Sequence, residues 1–301
     1  MRKFLINGIL FLLPVILFFI VLEFMVGRIP NSYMYKYNYV KTHGKELGAI
    51  AIGHSQLYDG FKPESFHISS FNLCNSAQTY MDNYFLLQEL LPYMPHLKMV
   101  IMPIGYMNVG VGRFESGFTD RSGYYHKYMN IDYGGKLPLK YAFESFRPSL
   151  ALQKVILYYF KHGNVVGCDS LGRRSFNLLR NRIHPLGYEK LMQRYSQNAH
   201  GNFCIKDETF FIRIINMLSK RNISVVLVSP PYHRICFDNY NKEQKQFFKS
   251  YMQDFCSRYP VRYIDLETDT TFTDDDFFNE THVSELGAEK LTQCLNKELG
   301  L

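Results

Sequence analysis

GAIAIGHS, residues 48–55, is a short apolar run that stops at a glycine and then presents a serine. A continuously apolar strand of this length reads as buried on both faces, as in a parallel sheet. The hydroxyl of Ser55 then stands at the rim of that sheet, where either a nucleophile or a simple turn serine would fit. What else reaches the same rim decides between them.

Working outward, a brief strand is expected around Ser70 to Leu73. Tyr84, Leu87, Leu90 and Leu91 recur at helical spacing and predict a helix over 81–94, and LKMVIMPIG (97–105) is a second continuous apolar strand. Strand, helix, strand makes a βαβ unit. The second half repeats the alternation: an amphipathic helix at 207–221, a buried strand at 223–231 stopped by Pro230 and Pro231, a helix at 241–259, a strand at 261–266 and a closing helix from about 284 to 298. The expected fold class is α/β, a three-layer α/β/α sandwich with a mostly parallel sheet. Ligands bind such sheets at the carboxyl ends of their strands. Residues 109–205 break the alternation and read as a long insertion, with a helix-like stretch at 138–160.

The amino-terminal segment is separate. After Arg2 and Lys3, Phe4 to Leu22 run for 19 residues without a charge, up to Glu23. As a helix rising about 1.5 Å per residue this roughly matches a ~30 Å hydrocarbon core. A cleaved signal and a buried core helix are the alternatives, but no small-residue cleavage pattern follows in LEFMVGRIP. The expected organisation is a membrane anchor over 1–30, which makes the lipid bilayer a partner, and one α/β domain over 31–301. Tyrosine-rich NSYMYKYNYVKTHGKEL (31–47) reads as a spacer between them. Arg2 and Lys3 favour an amino terminus in the cytoplasm, although Arg28 and Lys36 blunt that bias.

Composition excludes several classes. With 47% hydrophobic residues in 301, the chain buries a full core and is not a disordered protein. Its six cysteines form no C-x-x-C pair and no metal-ligand spacing, so no zinc site and no particular disulfide is expected. The net charge of +7 is concentrated in residues 109–205, which hold 14 basic against 6 acidic residues. No recognisable nucleic-acid motif accompanies that surplus, so nucleic acid is not an expected partner. An anionic polymer or a lipid headgroup is an alternative to a merely solvated surface. No cofactor is indicated.

Polar residues follow each strand end. Ser55 ends the first, FNLCNSAQTYMDN (71–83) the second, PIGYMN (103–108) the third, and FFNETHVSELGAEKL (277–291) puts His282 just before the closing helix. A serine hydroxyl needs a base within hydrogen-bond reach, and His282 is the candidate. Attack on an ester carbonyl creates an oxyanion, for which the N–H groups of Ser55 and Ala77 and the Asn108 amide are candidate donors. His54 reads as structural or substrate-facing, and His233 as a loop residue.

These blocks resemble the SGNH, or GDSL-like, hydrolase superfamily over about 48–108 and 207–298. They are most similar to its membrane-anchored bacterial branch linked to acylation of cell-envelope polymers. The resemblance implies Ser55 as nucleophile in the glycine-x-serine turn, Ala77 and Asn108 as oxyanion residues, and catalytic His282 with Asn279 in a D-x-x-H-like block. It further implies a serine esterase or O-acyltransferase acting on acyl groups, acetyl first, of an extracytoplasmic polysaccharide. The setting implied is a single pass through the bacterial inner membrane with the domain on the periplasmic side, and a membrane-bound O-acyltransferase as a partner. The chain departs from the pattern at His54, at Ala77 where glycine is usual, in the spacing from Gly105 to Asn108, and at Asn279 where aspartate is expected. Asp276 is the other acid that could support His282. The departures leave open a catalytically impaired protein that binds a glycan or a partner.

Overall fold

The computed structural model describes residues 1–111, 117–163, 165–175 and 202–301, so parts of the expected insertion lie outside the described residues. The chain divides into two compact units, one of residues 1–37 with 118–167 and the other of 38–117 with 168–301.

The larger unit is built on a five-stranded sheet. Its strands are β1 (Ala49–Ala51), β2 (Ser70–Asn72), β3 (Met99–Pro103), β6 (Ser224–Ser229) and β7 (Val261–Asp265), in the order β2-β1-β3-β6-β7. Every pairing is parallel, with Ile50 between Phe71 and Val100. β4 (Val109–Val111) and β5 (Phe203–Ile205) form a separate antiparallel pair. The sheet is buried on both faces, as the apolar runs require: Ile50, Phe71, Ile101, Met102 and Leu227 are all inaccessible. Each such side chain contributes about 1.5–3 kcal/mol by leaving water.

The chain moves from β1 to β2 in one direction, then returns past β1 to β3 and continues the same way to β6 and β7. Right-handed crossovers place the helix Ser55–Gly60 on one face and the helices Tyr80–Leu90, Glu208–Ser219 and Lys242–Arg258 on the other. Ring contacts agree: Phe211 lies 4.7 Å from Tyr80 and 4.9 Å from Phe255 between centroids. The closing helix Glu285–Leu299 covers the first face, where Thr292 Oγ1 donates to the Gly60 carbonyl at 3.5 Å. This is the doubly wound order in which the first two crossovers diverge, and the crevice opens between the ends of β1 and β3.

Local signals set the helices. Thr79 and Asp82 form a reciprocal capping box at 3.1 Å each. Phe211, Ile214, Ile215 and Leu218 bury one stripe of the helix Glu208–Ser219. The last helix starts on a Ser284 cap and ends at Gly300, whose φ of +72° suits glycine.

Three stretches differ from the sequence reading. Residues 31–47, expected as a spacer, contain a helix at Ser32–His43. It has no apolar stripe, but Val40 is fully buried and Tyr39 stacks on Phe71 at 4.1 Å. Tertiary contact therefore overrides a weak pattern. The segment around Asn279, for which no strand is expected before the closing helix, is a hairpin of β8 (Phe277–Asn279) and β9 (His282–Val283). The helix-like stretch 138–160 is broken into short helices at Leu139–Ala142 and Pro148–Val155, the latter running into a widened turn at Ile156–Phe160. Pro148 disfavours helical backbone at Arg147, whose φ is −122°.

In the smaller unit, the helix Arg2–Gly27 contains the one stretch among the described residues, Leu10–Gly27, that is long and apolar enough to cross a membrane. Its last turns bury Leu22 and Val26 with Ala151 and Val155. Glu23 would be costly there alone, but it accepts from Lys127 Nζ at 2.5 Å and from the Ser145 N–H at 2.8 Å. Glu144 extends the network to Lys154 at 2.5 Å.

Candidate active site

Gly53 turns the chain out of β1 at φ +145°, and a Cβ there would lie 2.4 Å from Pro103 Cδ. Only glycine fits that conformation and that gap. The turn delivers His54 and then Ser55, the first residue of the helix Ser55–Gly60. Because β1, β2 and β3 run in register, the loops after them rise from one rim, bringing Ser55, Ala77 and Asn108 together.

The β8/β9 hairpin supplies the rest. Asn279 pairs with His282 across it. His282 Nε2 lies 2.7 Å from Ser55 Oγ, and its Nδ1 lies 2.9 Å from Asn279 Oδ1. That oxygen accepts from the backbone N–H groups of Thr281 and His282, both at 3.0 Å. Two N–H donors identify the atom as oxygen and hold it toward the ring. An oxygen facing Nδ1 requires the proton on Nδ1, which leaves the Nε2 lone pair toward the serine hydroxyl. Asn279 thus holds the tautomer a general base needs without offering a negative charge. Asp276 is engaged elsewhere: its Oδ2 accepts from Thr273 N–H at 2.8 Å and from Lys290 Nζ at 2.7 Å.

Burial pushes the His282 imidazole from 6.5 down to about 3, with the nearby charges of Arg174 and His54 acting the same way. The ring is neutral at ordinary pH. His54 is pushed down to about 4, by burial first, with the Asn108 side chain opposing and Lys206 adding repulsion. Neither His54 ring nitrogen has a partner of hydrogen-bond geometry among the described residues.

Three donors surround the Ser55 hydroxyl's rim. Asn108 Oδ1 accepts from Gly105 N–H at 3.0 Å, so its NH₂ is the end of the amide turned away from that bond. Ala77 sits at φ +51°, a left-handed conformation that a Cβ disfavours. The N–H groups of Ala77 and Ser55 have no partner among the described residues. These residues line one cavity of about 450 Å³ with His282 and Asn279.

Sequence reasoning missed Lys206 and Asp207, which line the same cavity. They arrive there because β5 pairs with β4, and Lys206 N–H then donates to the Asn108 carbonyl at 2.8 Å. Lys206 Nζ donates to the Met107 carbonyl at 2.9 Å, and burial lowers its pKa. The only sequence signal was position, since the insertion re-enters the fold at this point. His233, expected as a loop residue, caps the helix Arg234–Asn239 and meets Asp274 at 3.0 Å.

No family model matches the chain, and no curated protein matches it. Solved structures that align with it include a protein provisionally described as a platelet activating factor from Streptococcus pneumonia, 13% identical over 89% of this chain and 91% of that one, with a TM-score of 0.38. Another, from Bacteroides fragilis NCTC 9343, is provisionally described as an acylhydrolase. It is 10% identical over 86% of this chain and 95% of that one, again with a TM-score of 0.38. At so low a score neither likeness bears on fold or chemistry.

Proposed function

We propose that the protein is a membrane-anchored serine esterase or O-acyltransferase of SGNH type, acting on ester-linked acyl groups, acetyl above all, of an extracytoplasmic polysaccharide. The observation that carries this is the 2.7 Å contact of Ser55 Oγ with His282 Nε2, together with the tautomer that Asn279 holds. In this reading Ser55 Oγ attacks the ester carbonyl while Nε2 takes its proton. The resulting oxyanion is stabilised by the N–H groups of Ser55 and Ala77 and by the Asn108 NH₂. The imidazolium then protonates the departing alkoxide, leaving an acyl-serine. Water or a sugar hydroxyl, activated by the same imidazole, takes the acyl group. Hydrolysis and transfer share the first half, and in transfer a membrane-bound O-acyltransferase is the partner that would supply the acyl donor that Ser55 attacks there. The helix Arg2–Gly27 would hold the protein in the bacterial inner membrane with its amino terminus in the cytoplasm.

A second reading is favoured by one observation: His282 is pushed down to about 3 and Asn279 offers it no charge. The same site could then bind a glycan or an assembly partner without turnover. A fluorophosphonate probe on the detergent-solubilised full chain separates the two. Labelling that Ser55→Ala abolishes supports the enzyme. Absence of labelling in a chain that still binds acetylated polysaccharide supports the binding protein.

A further inference from the structure

We propose that the apolar surface of residues 139–160 is a second membrane contact, lying in the lipid interface beside the last turns of the helix Arg2–Gly27. This rests on the anchor reading above, and the occupant is the phospholipid bilayer itself.

The stretch PSLALQKVILYYF (148–160) has too much apolar surface for one partner. Ala151 and Val155, with Tyr158, face Leu22, Met25 and Val26 of the long helix. The rest of its circumference stays uncovered: Leu150 is 49% exposed, Ile156 46% and Phe160 71%. Just before it, Leu139 is 67% exposed and Phe146 52%. Ser149, Gln153 and Lys154 interrupt the stretch, yet Leu150, Leu152, Ile156, Leu157 and Phe160 leave a largely apolar face exposed opposite the packed one, and a contiguous exposed apolar patch of this kind marks a contact surface.

The packing shows which medium. The residues that hold this stretch, Leu22 to Ile29, close the span-length segment Leu10–Gly27. Side chains on the far side of the 148–160 helix are therefore level with the final two turns of the span, within about 10 Å of its end. That is the depth, about 5–10 Å into the headgroup and acyl boundary, at which interfacial helices lie. The level is fixed by the Lys127 and Ser145 contacts to Glu23 and by Tyr159 Oη donating to the Met25 carbonyl at 3.2 Å. Charge fits as well. Lys136, Lys140 and Lys161 are exposed around this surface and have no ion-pair partner among the described residues. Lysines there reach anionic headgroups while their stems lie along the apolar boundary, and Tyr and Phe suit the same level.

The chain contains no tryptophan, so single tryptophans report cleanly. The full chain is reconstituted in phosphatidylcholine vesicles containing phosphatidylglycerol, as Phe18→Trp, Leu152→Trp or Phe160→Trp. All three positions are exposed, so the substitutions leave packing intact. Lipids brominated along the acyl chain should quench Phe18→Trp strongly. Lipids brominated near the glycerol should quench Leu152→Trp and Phe160→Trp strongly, and added iodide should leave both unchanged. If Phe18→Trp escapes bromine, the anchor reading fails and this inference with it. If Phe18→Trp is quenched while the other two respond to iodide, water covers the surface and the inference alone is overturned. Shielding of those two from both quenchers also overturns it, because a protein then covers them.

Discussion

Replacing Asn279 by aspartate adds the one thing the Ser55–His282 pair lacks. Asn279 Oδ1 already lies 2.9 Å from His282 Nδ1 and accepts two backbone N–H bonds at 3.0 Å. A carboxylate inherits that geometry, and its charge strengthens the same bonds. The amide Nδ2 has no hydrogen-bond partner among the described residues, so its loss breaks nothing. An opposite charge this close raises an imidazole pKa by about 1–3 units. Each unit is about 1.36 kcal/mol. If all of it appears in the transition state, where the imidazolium forms, kcat rises roughly tenfold to a thousandfold. This stays below the ~10⁴ cost of the Asp→Asn change in serine proteases, because there the amide also imposes the wrong tautomer. The assay is kcat on a chromogenic acetyl ester, with the His282 titration followed by NMR. An upward-moving His282 pKa without any gain in kcat would refute the argument that charge is the missing element.

Two further outcomes follow from the same rim. A base is active when deprotonated, so a His282 pKa pushed down to about 3 extends activity towards acid: kcat/KM for Asn279-containing protein should hold from neutral pH down to about 4. An acid limb near the ordinary histidine value of 6.5 would contradict the buried, neutral imidazole. Ala77→Gly relieves the cost of a left-handed alanine, about 1–2 kcal/mol, against about 0.4–1 kcal/mol of extra unfolded-state entropy. Denaturant midpoints should show stability unchanged or up by about 1 kcal/mol, and activity should persist because the N–H remains; a clear loss of stability would show that the methyl packs usefully.

The sheet was legible because its strands are continuous apolar runs, and the helices Glu208–Ser219 and Lys242–Arg258 because their apolar residues keep helical spacing. Ser55, Ala77 and Asn108 could be read as rim residues from the strand ends alone. The hairpin could not, since β9 is only two residues long and carries no periodicity. Yet the hairpin is what sets Asn279 against His282. Lys206 and Asp207 were invisible for another reason: their place depends on β4 pairing with β5 across more than ninety residues of intervening chain. The helix Ser32–His43 was hidden because its buried residues are Val40 and an inaccessible Lys36 rather than an apolar stripe.

The Glu23 network carries a practical lesson for anyone preparing this protein in soluble form. The smaller unit is assembled from two distant pieces of chain, so clipping off the hydrophobic start does not remove a dispensable tether. It takes away the wall against which Ala151 and Val155 are sealed and the acid that Lys127 and Ser145 hold. A shortened version would expose a fresh greasy scar in mid-sequence and aggregate, and that failure would say nothing about whether the serine works. Deleting residues 118–167 together with the start, and bridging the gap, removes both halves of that unit at once.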